Sequence, residues 1–197
     1  MKFGLIVDLG LDAFLISTGL VALAEMGDKT QLLSLVLATR HRRAWPIVWG
    51  ILVATLLNHS IAGALGAWID QHVDPEWMRW VLGAGFLAMA LWMLVPDKLE
   101  EEDAGAASSG WGVFCLTVWV FFLAEMGDKT QAATVALGAQ YEPLWAVVLG
   151  TTFGMLLANV PVVFLGEAIT RRIPIRLIHL LTAVLFAIIG LWVLLAA

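Results

Sequence analysis

The sequence predicts an all-α integral membrane protein of six transmembrane helices, arranged as two inverted three-helix repeats. Three observations predict it. Of 197 residues, 61% are apolar and only 14% charged, and the mean hydropathy is +0.90. Soluble domains hold roughly 45–50% apolar and about 25% charged residues, so the excess is too large for one soluble core. Six stretches are long and apolar enough for a spanning helix, which needs about 20 residues. Finally, the segment from Leu23 to Gln31 recurs unchanged from Leu123 to Gln131.

The six predicted spans cover roughly residues 9–38, 45–69, 78–95, 111–139, 144–169 and 175–196. The breaks between them are Thr39–Ala44, Asp70–Trp77, Pro96–Gly110, Gln140–Pro143 and Thr170–Pro174. Only the third resembles a linker, with Glu100, Glu101, Glu102 and Asp103 followed by an Ala/Gly/Ser run. The expected organisation is a first repeat over 1–97, an acidic cytoplasmic linker over 98–110, and a second repeat over 111–197. No removable signal peptide is expected, because Asp8 and Asp12 interrupt the first apolar stretch.

Basic residues near span ends set orientation. Arg40, Arg42 and Arg43, then Lys98, then Arg171, Arg172 and Arg176 all fall on one face of a six-span chain, against Lys2 and Arg79 on the other. The first face is expected to be cytoplasmic, with both termini outside. Trp45, Trp77, Trp80, Trp111 and Trp145 lie near span ends, as interfacial anchors do. Cys115, the only cysteine, excludes an internal disulfide and a cysteine-built zinc site; it reads as a packing residue. The net charge of −5 gives no sign of a nucleic-acid partner.

The repeat offset of 100 also aligns Gly50 with Gly150, Gly66 with Gly166, Phe86 with Phe186 and Leu91-Trp92 with Leu191-Trp192. Three spans per half is an odd number, so the second half enters the membrane from the opposite side. Transporters commonly use this plan, with a substrate site at the repeat interface near the midplane.

Spans one and four carry the repeated segment just past their centres. A straight helix of about 30 residues reaches ~45 Å at 1.5 Å per residue, against a core of roughly 30 Å. Each is therefore either strongly tilted or broken at mid-membrane, and Gly27 and Gly127 offer the place. Glu25, Asp28 and Lys29 share a helix face, as do Glu125, Asp128 and Lys129. Charges at this depth cost about 2.5–3.5 kcal/mol each, so they are expected to face inward and meet. Four carboxylates and two lysines sum to −2, which matches one divalent cation or two protons. Thr30, Thr130, Gln31 and Gln131 add oxygen donors, and oxygen-rich sites suit magnesium, calcium and manganese. Met26 and Met126 read as packing residues. The bland alternative, an ion-pair lock, needs one acid per lysine, whereas each lysine here has two.

Asn58, His59 and Asn159 lie deep in spans two and five. Polar groups at this depth are functional suspects, as proton relay or support together with Lys29 and Lys129; an interhelical hydrogen bond is the alternative for His59. Ser34 and Thr134, one turn beyond each motif, suit either a polar path or close helix packing. Glu167, Asp70, His179, His41 and His72 receive no role.

Two copies of E-x-G-D-K-T, over Glu25–Thr30 and Glu125–Thr130, each in the first span of a three-span repeat, resemble the transmembrane protein 165 family. The resemblance covers the whole chain. It implies a cation/proton exchanger, laid out like the lysine-exporter superfamily, whose bacterial members export manganese. By this resemblance the acids bind the cation. The expected function is export of Mn2+ for protons, with a Ca2+/H+ antiporter as the alternative and an intramembrane metal-dependent hydrolase as a distant third. No enzymatic activity is expected. A nucleotide-driven pump is disfavoured by the lack of G-x-x-x-x-G-K-[ST]. No cofactor is expected beyond the transported ion. The expected partners are metal ion, protons and bilayer, with a homodimer left open, in a bacterial plasma membrane.

Overall fold

A computed structural model describes residues 10–95, 109–166 and 175–195. Lys2, Asp8, Lys98, Glu100–Asp103, Glu167, Arg171 and Arg172 fall outside the described residues, as does nearly all of the expected linker. Within them the chain is helical, without strands. The helices are α1 (Leu11–Glu25), α2 (Lys29–His41), α3 (Ala44–His72), α4 (Pro75–Met93), α5 (Gly110–Glu125), α6 (Lys129–Gln140), α7 (Leu144–Leu165) and α8 (Ile175–Leu195). Both motif-bearing segments are broken, at residues 26–28 and 126–128.

Among the described residues, α3, α7 and α8 are each long and apolar enough to cross a bilayer, and α5 with α6, bent by 74° at the break between them, is apolar enough to make a fourth if the pair is taken as one span. The other two expected spans are less apolar for visible reasons. Helix α4 opens with Glu76 and Arg79, and α2 carries Lys29, Thr30, Gln31, Ser34, Thr39 and Arg40. Starts and stops follow local chemistry. Asp74 caps α4 through Glu76 N at 2.9 Å, with Pro75 in the first turn. Ser109 caps α5 through Gly112 N at 2.9 Å. Arg42, in the left-handed region at φ 52, ends α2.

The halves pack reciprocally. Helix α1 lies along α7 while α5 lies along α3, and α4 packs on α8. Two glycines show how closely. A Cβ on Gly150 would sit 2.5 Å from the Phe14 carbonyl and 3.0 Å from Ser17 Cβ. A Cβ on Gly50 would sit 2.6 Å from Thr117 Cβ and 3.1 Å from the Phe114 carbonyl. Residues 14 and 17 correspond to 114 and 117 under the repeat offset. Phe86 and Phe186, also equivalent, stack with centroids 6.2 Å apart, and both are buried. Contact of one patch with its own equivalent is the mark of two-fold association.

One crossing departs from this reciprocity. Helix α6 lies against α3 backbone to backbone: a Cβ on Gly138 would meet the Gly63 carbonyl at 2.6 Å, and one on Gly66 would collide with the Val135 carbonyl. The equivalent crossing of α2 on α7 is looser, because Ala38 and Val163 stand where α6 and α3 have Gly138 and Gly63.

The outer surface is apolar. Trp45, Trp77, Trp80, Trp111 and Trp145 all point outward, as anchors should. Cys115 is exposed, which corrects its reading as a packing residue: it lies on an outward face of α5. A cavity of about 910 Å³ opens where the end of α3 and the start of α4 meet the α6–α7 junction, lined among others by Asp70, Arg79, Gly138, Tyr141 and Glu142.

Candidate ion-binding site

The chain turns the same way at both breaks. Met26 has φ −65 and ψ 116, and Met126 has φ −68 and ψ 120. Gly27 follows at φ 84 and Gly127 at φ 77. Asp28 N donates to the Glu25 carbonyl at 3.1 Å, and Asp128 N to the Glu125 carbonyl at 3.3 Å. This is a type II turn, which requires φ > 0 at its third residue and hence glycine. Each motif therefore decomposes physically. Its glutamate ends one half-helix, its glycine turns the chain, and its aspartate sits at the N-cap of the next half-helix. Met126 points outward and Met26 is half-buried.

The glutamines bind backbone. Gly27 N donates to Gln31 Oε1 at 3.0 Å, and Gly127 N donates to Gln131 Oε1 at 2.7 Å. Each amide nitrogen then crosses to the other half. Gln31 Nε2 donates to the Ala158 carbonyl at 3.0 Å, and Gln131 Nε2 to Asn58 Oδ1 at 2.7 Å. Positions 58 and 158 correspond under the offset.

The acids lie between the two breaks. Glu25 and Glu125 are fully buried, and Asp28 and Asp128 nearly so. Glu25 lies within electrostatic range of Glu125, Asp28 and Asp128. Lys29 Nζ pairs with Asp128 Oδ1 of the other motif at 3.4 Å. Thr130 Oγ1 donates to Glu125 Oε2 at 2.8 Å. Asn159 Nδ2 reaches Glu25 Oε1 at 3.4 Å and Met155 Sδ at 3.0 Å, while Ser34 Oγ donates to Asn159 Oδ1 at 2.7 Å. Three buried oxygens of the motifs make no hydrogen bond, Glu25 Oε2, Thr30 Oγ1 and Glu125 Oε1, as do the hydroxyls of Ser17, Thr55 and Thr152 elsewhere. Among the described residues, no three acidic, histidine or cysteine side chains stand close enough together to hold a metal as they are.

The structure thus brings the four acids, Thr30, Thr130 and Lys29 to one buried region between the halves. Lys129 takes a different course from Lys29: its Nζ donates to the Val95 carbonyl at 3.1 Å. His59 is fully buried and neither ring nitrogen has a hydrogen-bond partner, so the interhelical bond offered as its alternative is not made. Thr134 turns back to the Thr130 carbonyl at 2.8 Å, unlike Ser34. Sequence reasoning missed Met155 and the Val95 carbonyl as partners of these side chains. Backbone acceptors leave no signature in side-chain identity, and one methionine among many apolar residues gives none either.

A helical, largely apolar chain with buried carboxylates at two helix breaks defines a membrane transporter of small ions. The chain belongs to the divalent cation/proton antiporter GDT1 family, which it matches over residues 13–101 and 113–197. It is 50% identical over 177 residues to a Vibrio cholerae protein named as a candidate manganese exporter, covering 89% of this chain and 87% of that one. It is 30% identical to a GDT1-like protein of Synechocystis, covering 92% and 98%. It is 24% identical to the divalent cation/proton antiporter GDT1 of Saccharomyces cerevisiae, covering 92% and 82%. No solved structure matches the chain significantly.

Proposed function

We propose that this multi-pass membrane protein exports Mn2+ in exchange for protons. Its cation site is shared by Glu25, Asp28, Glu125 and Asp128, with Thr30 and Thr130 as further oxygen donors. The observation that carries the reading is that three of the fully buried oxygens without partners, Glu25 Oε2, Thr30 Oγ1 and Glu125 Oε1, belong to the motifs. Unpaired polar atoms at such depth are costly, and these come from both motifs. They are hard donors, the kind that manganese and calcium accept. Glu25 and Glu125 also end half-helices whose last carbonyls present negative dipole ends, a favourable setting for a cation. An entering ion draws the carboxylates together and neutralises their excess charge. Protons on the same oxygens achieve the same neutralisation, so the two bind in competition.

The wider reading is six spans in two inverted repeats, over 1–97 and 111–197 with the acidic linker between them. Both termini lie outside a bacterial plasma membrane. The reciprocal packing of α1 on α7 and α5 on α3 supports it, as do the matching breaks. In this topology the cavity by Asp70 and Glu142 is an external vestibule. Thr134 and Thr130 lie one and two turns back along α6 from its wall at Gly138. Lys29, Lys129, Asn58, His59 and Asn159 support the site, and the protein acts as a transporter, not an enzyme. Manganese as cargo follows from the name of the Vibrio cholerae relative. The test is flux in sealed liposomes under a pH gradient, with Mn2+, Ca2+ and Mg2+ in separate runs. Mn2+ movement with proton counterflow supports the reading. Mn2+ flux indifferent to the proton gradient would overturn it.

A further inference from the structure

Each broken span leaves the last carbonyls of its first half-helix and the first N–H groups of its second without helical partners. At the second break those groups find partners on one side chain and its neighbour. Met126 N bonds to the Leu123 carbonyl at 3.2 Å, so the Phe122 carbonyl, its regular helical acceptor, is released. Asn58 Nδ2 donates to that carbonyl at 3.4 Å. Asn58 Oδ1 accepts from Gln131 Nε2 at 2.7 Å, and Gln131 Oε1 accepts from Gly127 N at 2.7 Å. A single chain of hydrogen bonds thus runs from the last turn of α5, through α3 of the other half, to the turn and α6. Asn58 is fully buried.

We infer that Asn58 and Gln131 are positioning residues of the exchange site. Together they hold the two half-helices that carry Glu125 and Asp128 in fixed register, and Gln131 is not itself an ion ligand. Both ends of the Gln131 amide are engaged within the protein, its oxygen by the turn and its nitrogen by Asn58. At the first break the equivalent of Asn58 is Ala158, which offers Gln31 only its backbone carbonyl. The side-chain clamp therefore exists at one break and not the other. Groups that orient a metal ligand without touching the metal typically cost roughly 10–100-fold in affinity or activity when removed, so even partial release of this clamp is functionally visible.

The inference rests on the exchanger reading for its effect on transport, but not for its effect on structure. The experiment uses the full-length protein in detergent and in liposomes, with Asn58→Ala, Gln131→Ala, Gln31→Ala, the Asn58/Gln131 double variant and the Asn58/Gln31 double variant. Hydrogen exchange at residues 122–131 is expected to rise in Asn58→Ala while exchange at 22–31 stays unchanged. Asn58→Ala keeps the Gln131–Gly127 bond, so it retains the fold even where Gln131→Ala loses it. In Mn2+ flux, turnover is expected to fall about tenfold with KM within about twofold, the signature of lost positioning and not of lost binding. The Asn58/Gln131 double variant is expected to be no worse than Gln131→Ala, whereas Asn58→Ala and Gln31→Ala add. Unchanged exchange at 122–131 would overturn the positioning role whatever the flux. A raised KM and altered Mn2+ to Ca2+ preference in Gln131→Ala would make it a ligand. Absence of coupled flux in the unmodified protein would sink the exchanger reading alone, and the exchange data would still decide the clamp.

Discussion

The two motifs are identical from Leu23 to Gln31 and from Leu123 to Gln131, yet their surroundings differ. The first glutamate is met by Asn159, which Ser34 holds in turn. The second is met by Thr130 of its own motif, on the half-helix that follows the turn. Thr30, the equivalent of Thr130, donates its backbone N–H to Asp28 Oδ2 at 3.5 Å, and its hydroxyl lies by Glu125 of the other half without closing a well-formed hydrogen bond. Lys29 crosses to Asp128, while Lys129 reaches the Val95 carbonyl. The difference arises outside the motifs, where His59 faces Asn159 in the alignment, Asn58 faces Ala158, and Gly138 faces Ala38. Identical motifs thus stand on non-identical scaffolds, and their half-helices are held unequally.

The largest effects are expected where the halves are alike. Glu25→Gln and Glu125→Gln each remove one carboxylate without changing shape. Each should lower Mn2+ flux by at least about 100-fold, since even partners one shell outside a metal cost 10–100-fold. A tenfold disparity between the two would break the equivalence of the acids.

Next comes the crossing where the halves differ. Gly138→Val pushes a side chain into the Gly63 backbone and should cost about 1–3 kcal/mol by thermal unfolding in detergent. Ala38→Val, at the looser equivalent crossing, should cost clearly less. Equal costs would remove the asymmetry.

The polar pair in spans two and five sharpens the comparison further. Asn159→Ala leaves Ser34 and Glu25 without a partner and should destabilise by roughly 1–3 kcal/mol. His59→Leu replaces a ring whose nitrogens are unpaired, so it should be neutral or stabilising to the fold. Any loss of flux in that variant is then functional. The smallest effect is expected for Lys29→Gln, whose pair with Asp128 is about one-third exposed on the lysine side. Asp128 is nearly buried, but the glutamine amide can still donate to it, so the cost to the fold should stay at about 1 kcal/mol.

Much of this was legible in the sequence. The helices fall within a few residues of the expected spans, since apolar length marks spanning helices strongly. Spans too long for a bilayer left tilt or a break as the alternatives, and the chain breaks at Gly27 and Gly127; the depth of the acids in the apolar runs announced their burial. The fates of the glutamines were not legible. They read as ligands because an amide oxygen is a good donor to a cation, but a turn at positive φ leaves an N–H that needs an acceptor nearby, and Gln31 and Gln131 stand four residues on. Nor could the alignment of Asn58 with Ala158 reveal a clamp, because its partners are a backbone carbonyl and a side chain on another helix. The tight α6–α3 crossing was half visible: Gly63, Gly66 and Gly138 are there to read, but which helix they admit depends on packing between the halves.

The central claim is that both motifs build one cation site. Its most direct measurement is Mn2+ binding to the purified protein at equilibrium, with stoichiometry. The account predicts one Mn2+ per chain, lost in Glu25→Gln and equally in Glu125→Gln. Two ions per chain, each lost with only its own glutamate, would show two independent sites and contradict it.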